Sequence, residues 1–234
     1  MNEYYNLPPT QGHTLEMTVS QVMKRVYMKM FFGLLVTAGA AWAIFSLGLY
    51  QLLLTNRIIY FGAAIVELGL VLAISAGVRK MSSSTATILF YLFSLVNGIT
   101  LSLIFVAYNL PSIGKTFLIT AAVFGAMSVY GYTTGKDLTK FGNFLIMALF
   151  GLIIASVVNM FTHSDGLSWI ISFVGVLIFI GLTAYDTQTI KNWAMQMPQS
   201  SYGHIATLGA LSLYLDFINL FLMLLRFFGG NSRN

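Results

Sequence analysis

Seven apolar stretches of about twenty residues each, joined by short polar connections, dominate this chain: 30–50, 58–78, 87–107, 116–134, 143–162, 168–186 and 205–228. Hydrocarbon about 30 Å thick is crossed at about 1.5 Å per residue, so each stretch is the length of one transmembrane helix. Only a helix satisfies its own backbone in lipid at these lengths, because barrel strands are shorter and alternate. Composition agrees, with 57% of the 234 residues hydrophobic and only 8% charged. Soluble domains carry about 25% charged residues, and a soluble core of this size would leave much of that apolar surface facing water. An ordinary soluble enzyme, a secreted disulfide scaffold and a disordered chain are excluded. The absence of cysteine removes disulfides, thiolate catalysis and cysteine metal sites together. The expected fold is an all-α membrane protein: a cytoplasmic N-terminal segment over 1–29, a seven-helix membrane domain over 30–228 and a C-terminal tail over 229–234.

The net charge of +5 sits mainly beside apolar segments, where it sets topology and meets anionic headgroups; no Lys/Arg run points to nucleic acid. Glu3, Glu16, Lys24, Arg25 and Lys29 leave no cleavable signal over 1–29, so the first span is expected to direct insertion itself. Lys24, Arg25, Lys29, Arg79, Lys80, Lys136, Lys140 and Lys191 fall on the N-terminal side of the spans. Arg57, Lys115, Arg226 and Arg233 fall on the other. The positive-inside rule then predicts a cytoplasmic N-terminus and an external C-terminus. Small residues at Ser94, Gly98 and Ser102 in the third span, and at Gly151 and Ala155 in the fifth, predict close helix packing without chemistry.

The informative residues are those a bilayer should reject. A charged side chain at a helix centre costs about 2.5–3.5 kcal/mol on insertion scales. Glu67 lies near the middle of 58–78, Asp216 near the middle of 205–228, and Asp186 closes 168–186. In the last span Gly209, Ser212, Asp216, Asn219, Met223 and Arg226 recur at alternating steps of three and four. That spacing draws one stripe along a helix, predicted to face the bundle interior and line a polar pathway. A carboxylate that merely pairs with Arg79 or Arg226 is the structural alternative. Buried ion pairs are poor stabilisers, however, which favours a switch or ion site. His13, His163 and His204 show no metal-ligand spacing. Lys191 falls in the 187–204 connection, and no span holds a lysine near its centre, which excludes a retinal-type Schiff base.

Several blocks resemble a known family. Gln21-Val22-Met23-Lys24-Arg25-Val26-Tyr27 and Gly33-Leu34-Leu35-Val36-Thr37-Ala38 are similar to the opening of Bax inhibitor family proteins. Ala184-Tyr185-Asp186-Thr187-Gln188 and Leu213-Tyr214-Leu215-Asp216-Phe217-Ile218-Asn219-Leu220-Phe221 resemble that family's most specific signatures. The resemblance covers nearly the whole chain. It implies a seven-helix fold with the last helix central and six around it, in a bacterial inner membrane. It also implies a pH-sensitive calcium leak in which Asp186 and Asp216 form the sensor and gate, with calcium as permeant or bound ion at that pair. Arg79 would latch the pair, and Glu67 with Arg226 would form a second latch. No cofactor is expected. The expected partners are the lipid bilayer, calcium and protons, with a membrane-protein partner left open.

Physics supplies a mechanism beside the resemblance. Two carboxylates held together in a low dielectric cannot both ionise freely and share a proton. Ionised, the pair attracts Arg79 and suits calcium, a hard cation that favours carboxylate oxygen; protonated, it releases the arginine. Two rivals stand beside this reading. A non-transporting regulator would bind another membrane protein, such as a membrane-bound protease, through its outer helices. An intramembrane aspartyl protease would use the two aspartates as a dyad, and Tyr185-Asp186 fits its first half. Leu213-Tyr214-Leu215-Asp216 lacks the glycines of its second half.

Overall fold

Polar residues mark where the helices begin. Asn56 accepts the N–H groups of Ile58 and Ile59, Ser82 that of Thr85, Asn109 that of Ser112 and Ser164 that of Leu167. Each side chain satisfies an amide that the first helical turn leaves without a partner. The computed structural model describes residues 9–230, apart from the side chains of residues 9–16 and of Arg79. Nine α-helices run through the described residues: α1 (Pro9–Ser46), α2 (Tyr50–Thr55), α3 (Arg57–Gly77), α4 (Ser83–Leu101), α5 (Ile104–Ala107), α6 (Leu110–Thr133), α7 (Thr139–Thr162), α8 (Asp165–Gln196) and α9 (Tyr202–Phe228). Single 3-10 turns at Val78–Lys80 and Gln199–Ser201 follow α3 and precede α9. Ahead of α7, hydrogen bonds from the side chain and then the backbone of Thr139 hold the exposed Asp137 carboxyl below the usual range.

Seven helical segments are long and apolar enough to cross a membrane, as the sequence predicts. Their burial ranks them. Buried residues make up 67% of the most apolar window of the last segment, 50% of the α8 window and only 6% of the α3 window. The last helix is therefore the core, and α1, α3, α4, α6 and α8 pack against it, while α7 packs chiefly on α8. Tyr214, Leu213 and Leu220 on α9 are fully buried. The large exposed side chains of α3 and α7, among them Ile58, Ile65, Phe150 and Phe161, face outward, where a bilayer replaces water as the solvent.

Three expectations change. No break separates residues 9–29 from the membrane domain, because α1 runs from Pro9 through position 30 to Ser46, and Met17–Ser46 is long and apolar enough to cross a membrane. Val19, Val22, Met23 and Val26 are buried in the same cluster as Ile74, Phe90 and Ala210. They recur at helical spacing with Gln21, Lys24 and Arg25 between them, so a search for unbroken apolar runs passes over this stripe. The expected 187–204 connection is mostly helix, since α8 continues to Gln196, and Lys191 therefore lies on α8. In the fifth span Gly151 is exposed and a Cβ there would meet nothing within 4 Å, so it packs against no helix. The third span behaves as expected: a Cβ at Gly98 would press on the Thr37 carbonyl, and Ser94 and Ser102 are buried. At the C-terminal end the Asn109 N–H donates to the Gly230 carbonyl at 3.2 Å, and the Gly230 N–H donates to Ser112 Oγ at 2.9 Å. Arg233 and the rest of the tail beyond Gly230 lie outside the described residues.

Helices α6 and α8 approach closely at Gly131. A Cβ at Gly131 would strike the Ala184 carbonyl oxygen, which cannot yield without shifting the helix. Gly131→Ala is expected to destabilise the protein in detergent by about 1–3 kcal/mol through this overpacking. Gly62→Ala, where the space is open, is expected to be neutral or to stabilise by about 0.5–1 kcal/mol. Thermal unfolding of the two variants beside wild type checks the contrast.

Candidate functional site

The stripe on α9 runs along α8 and is not the most buried face of its helix: Ser212, Asn219 and Met223 are half-buried and Arg226 is exposed, whereas Leu213, Tyr214 and Leu220 are fully buried. Down the antiparallel pair, Gly209 lies against Ile190, Ser212 hydrogen-bonds Asp186, Met223 lies over Gly175, and Arg226 Nη1 donates to Ser172 Oγ at 3.4 Å. A Cβ at Gly209 would sit 2.9 Å from Ile190 Cδ1, and one at Gly175 would sit 3.1 Å from Met223 Cγ. Small residues on both helices thus let the two backbones approach closely, as helices in lipid must when they cannot gain by hiding apolar surface from each other. Asn219 donates to the Leu215 carbonyl of its own helix at 2.8 Å. Gly209, Ser212, Asp216, Asn219, Met223 and Arg226 therefore belong to an α8–α9 packing seam, or to its edge.

Asp186 on α8 and Asp216 on α9 lie near enough across this seam for the charge of one to act on the other. Asp216 is 4% exposed and its Oδ2 has no hydrogen-bond partner. Thr187 Oγ1, beside Asp186 in sequence, is likewise buried without a partner. Among the described residues neither aspartate forms an ion pair, and no group of three or more His, Asp or Glu residues is disposed to hold a metal. Arg79 falls in the 3-10 turn after α3, a turn that packs against α9. Its side chain, on which the latch depends, lies outside the described residues.

The second latch does not form. Glu67 accepts hydrogen bonds from Asn97 Nδ2 at 2.9 Å and Thr100 Oγ1 at 2.7 Å, both on α4. Arg226 is exposed at the last turn of α9 and reaches Ser172. The two side chains do not make an ion pair, because Glu67 is already satisfied on α4 while Arg226 turns to α8.

Glu67 instead ends a half-buried polar chain that crosses the bundle. Tyr214 Oη donates to Asn97 Oδ1 at 2.8 Å and lies 2.6 Å from Thr37 Oγ1. An ionised Glu67 only accepts, so Asn97 must turn its amide toward it and offer its carbonyl to Tyr214. The Tyr214 ring is held edge-on by Phe90 and Phe93. A second group joins α1, α4 and α9, where Lys29 Nζ donates to Thr87 Oγ1 and Thr207 Oγ1, each at 2.7 Å. Those threonines are also 2.7 Å and 3.1 Å from the carbonyls of Ser83 and Gly203. Sequence reading counted Lys29 as a topological charge and passed over Asn97, Tyr214 and Thr37. The signal for Asn97 was an amide in mid-span, which a bilayer also disfavours. His204 Nε2 lies 2.9 Å from the Met81 carbonyl, and His163 ends α7 in the left-handed region at φ 49°. The His13 side chain lies outside the described residues.

Residues 19–233 match the family model described as "Inhibitor of apoptosis-promoting Bax1". The chain belongs to the Bax inhibitor family. It is 50% identical over 212 residues to the inner membrane protein YbhL of Escherichia coli, covering 89% of this chain and 91% of that one. A protein of Borreliella burgdorferi is 47% identical over 213 residues, covering 90% and 92% of the two chains. A Rickettsia prowazekii protein is 41% identical over 225 residues, covering 94% of each. The sequence blocks that resembled this family each supply buried residues: Val22, Met23, Val26 and Thr37 from the opening blocks on α1, Ala184 and Thr187 on α8, and Tyr214 and Asp216 on α9.

The Tyr214 hydroxyl holds Thr37 of α1 and Asn97 of α4 at once. Tyr214→Phe is expected to leave Asn97 Oδ1 without its donor, while Thr37 keeps the Gly33 and Ser94 carbonyls, and to cost about 1–3 kcal/mol in stability. Phe217→Tyr is no rescue, because position 217 faces Phe117 and Phe124. Denaturant titration in detergent micelles measures the loss.

Proposed function

We propose that this member of the family is a pH-sensitive calcium leak pathway of the bacterial inner membrane, gated by Asp186 and Asp216. One observation carries the reading: Asp216 is buried in the α8–α9 seam beside Asp186, and one of its oxygens has no partner. An unpaired buried carboxylate is costly, so such a pair holds either a proton or a cation. Both ions are what the proposed leak responds to or passes. The two carboxylates and the Ser212 hydroxyl are few ligands beside the 6–8 oxygens calcium prefers, which suits an ion in passage better than one held. The inner membrane is supported by the Escherichia coli relative, an inner membrane protein.

In this mechanism the ionised pair draws the Arg79 guanidinium from the end of α3 and keeps the seam shut. Acidification protonates the pair, the arginine loses its attraction, and α9 is free to move against α8. Opening therefore grows as pH falls. The N-terminus is cytoplasmic in this reading, and the loops that carry most lysines and arginines face the same side.

Calcium flux into proteoliposomes, followed from about pH 6 to pH 8, tests it. Wild type is expected to leak more at the acid end. Asp186→Asn and Asp216→Asn are expected to flatten that dependence, and Arg79→Ala to leak at alkaline pH as well. Flux that ignores pH, or an Arg79→Ala variant that stays closed when alkaline, overturns the gate. A purified protein that leaks at no pH favours the non-transporting regulator instead.

A further inference from the structure

A cleft separates α1 from α6 at the end of the bundle where α6 stops. It has a volume of about 550 Å³, is open to the surface, and is lined by Met23 and Tyr27 of α1 and by Phe124, Gly125, Ser128 and Tyr132 of α6, among others. This is within the range of about 300–1,000 Å³ usual for small-ligand sites. The walls are mostly apolar, with one exception that hydrocarbon does not explain. Ser128 is only 6% exposed and its Oγ has no hydrogen-bond partner, although it lines the cleft. Nearby stand two cations. Lys24, one turn from Ser20 on the cleft wall, is exposed. Lys191 lies 5.1 Å from the centre of the Tyr132 ring and donates to the Tyr132 carbonyl at 2.8 Å. Among the described residues no carboxylate pairs with either ammonium.

We infer that this cleft is a binding site for an anionic phospholipid. Its phosphate lies toward Lys24 and Lys191, an ester oxygen meets the Ser128 hydroxyl, and the start of one acyl chain runs along Met23 and Phe124. Each part of such a lipid answers one feature of the wall. Basic residues near the membrane surface attract acidic headgroups. A buried hydroxyl gains by finding an acceptor, and the ester carbonyl is one. A transmembrane helix from another protein fits poorly. Two turns of a helix about 10 Å across occupy on the order of 850 Å³, more than the cleft holds.

The cleft can be filled without disturbing the fold, because a Cβ at Gly125 would meet nothing within 4 Å. The experiment is native mass spectrometry of the protein released from vesicles of equal parts phosphatidylglycerol and phosphatidylcholine with identical acyl chains. Wild type is expected to retain phosphatidylglycerol in preference to phosphatidylcholine. Gly125→Leu, with Val129→Trp as a second filling variant, is expected to lose the retained lipid while melting at an unchanged temperature in detergent. Lys24→Ala is expected to keep lipid but lower the preference about fivefold, the worth of one basic residue near a membrane surface. Equal retention of the two lipids by wild type overturns the inference. So does undiminished phosphatidylglycerol on both filled variants, or a photo-crosslinker at Val129 that captures polypeptide rather than lipid. None of these outcomes bears on the aspartate gate.

Discussion

Two helices in hydrocarbon gain little by hiding apolar side chains from each other, since lipid tails solvate those side chains as well as a neighbour does. The contact between α8 and α9 shows what takes the place of that gain. Gly175 lies under Met223, Gly209 against Ile190, and Ser212 on Asp186, so close approach and polar contact hold the pair together. The rest of the bundle depends on this seam. Helices α1, α4 and α6 pack on the other faces of α9, and α7 reaches the bundle mainly through α8. The seam also brings two aspartates within electrostatic reach of each other, and burying carboxylates is costly.

Such placement explains why the polar residues of α9 form groups of different character. On the α8 side, Asp216 keeps an oxygen without a partner and Asp186 is close by. On the α4 side, Tyr214 is fully engaged, tied to Asn97 and Thr37 and wedged between Phe90 and Phe93. Nearer its start, Thr207 helps to hold Lys29. A satisfied polar network rigidifies the helices it joins, whereas an unsatisfied one invites an ion or a proton. One central helix therefore carries a side whose polar groups are satisfied and a side with an unpartnered carboxylate oxygen, which the proposed gate would use. A gate needs both, because a moving element must move against something that stays still.

Family membership and geometry meet at the same residues. The blocks that resemble the family's signatures are those that build the α8–α9 seam, and the identity to the Escherichia coli protein extends over nearly all of both chains. The Glu67–Arg226 pairing implied by the resemblance fails here for a local reason. Asn97 and Thr100 stand one turn apart on α4 and offer Glu67 two donors, leaving it no need of a distant arginine.

Much of this protein follows from its sequence alone. Seven spans, their helical form and the cost of Glu67, Asp186 and Asp216 all rest on length, hydropathy and a helical period, which are properties of one segment at a time. The buried start of α1 escaped because its apolar residues form a stripe broken by Lys24 and Arg25, and the end of α8 escaped because polar residues can continue a helix beyond the hydrocarbon. Which side chains meet was decided only by tertiary structure. That Lys29 finds two threonines, that Asn97 bridges Glu67 and Tyr214, and that α1 and α6 leave a cleft between them depend on how neighbouring helices are rotated and slid past one another. Periodicity tells a helix which face to bury; it does not tell that face which residue will be waiting opposite.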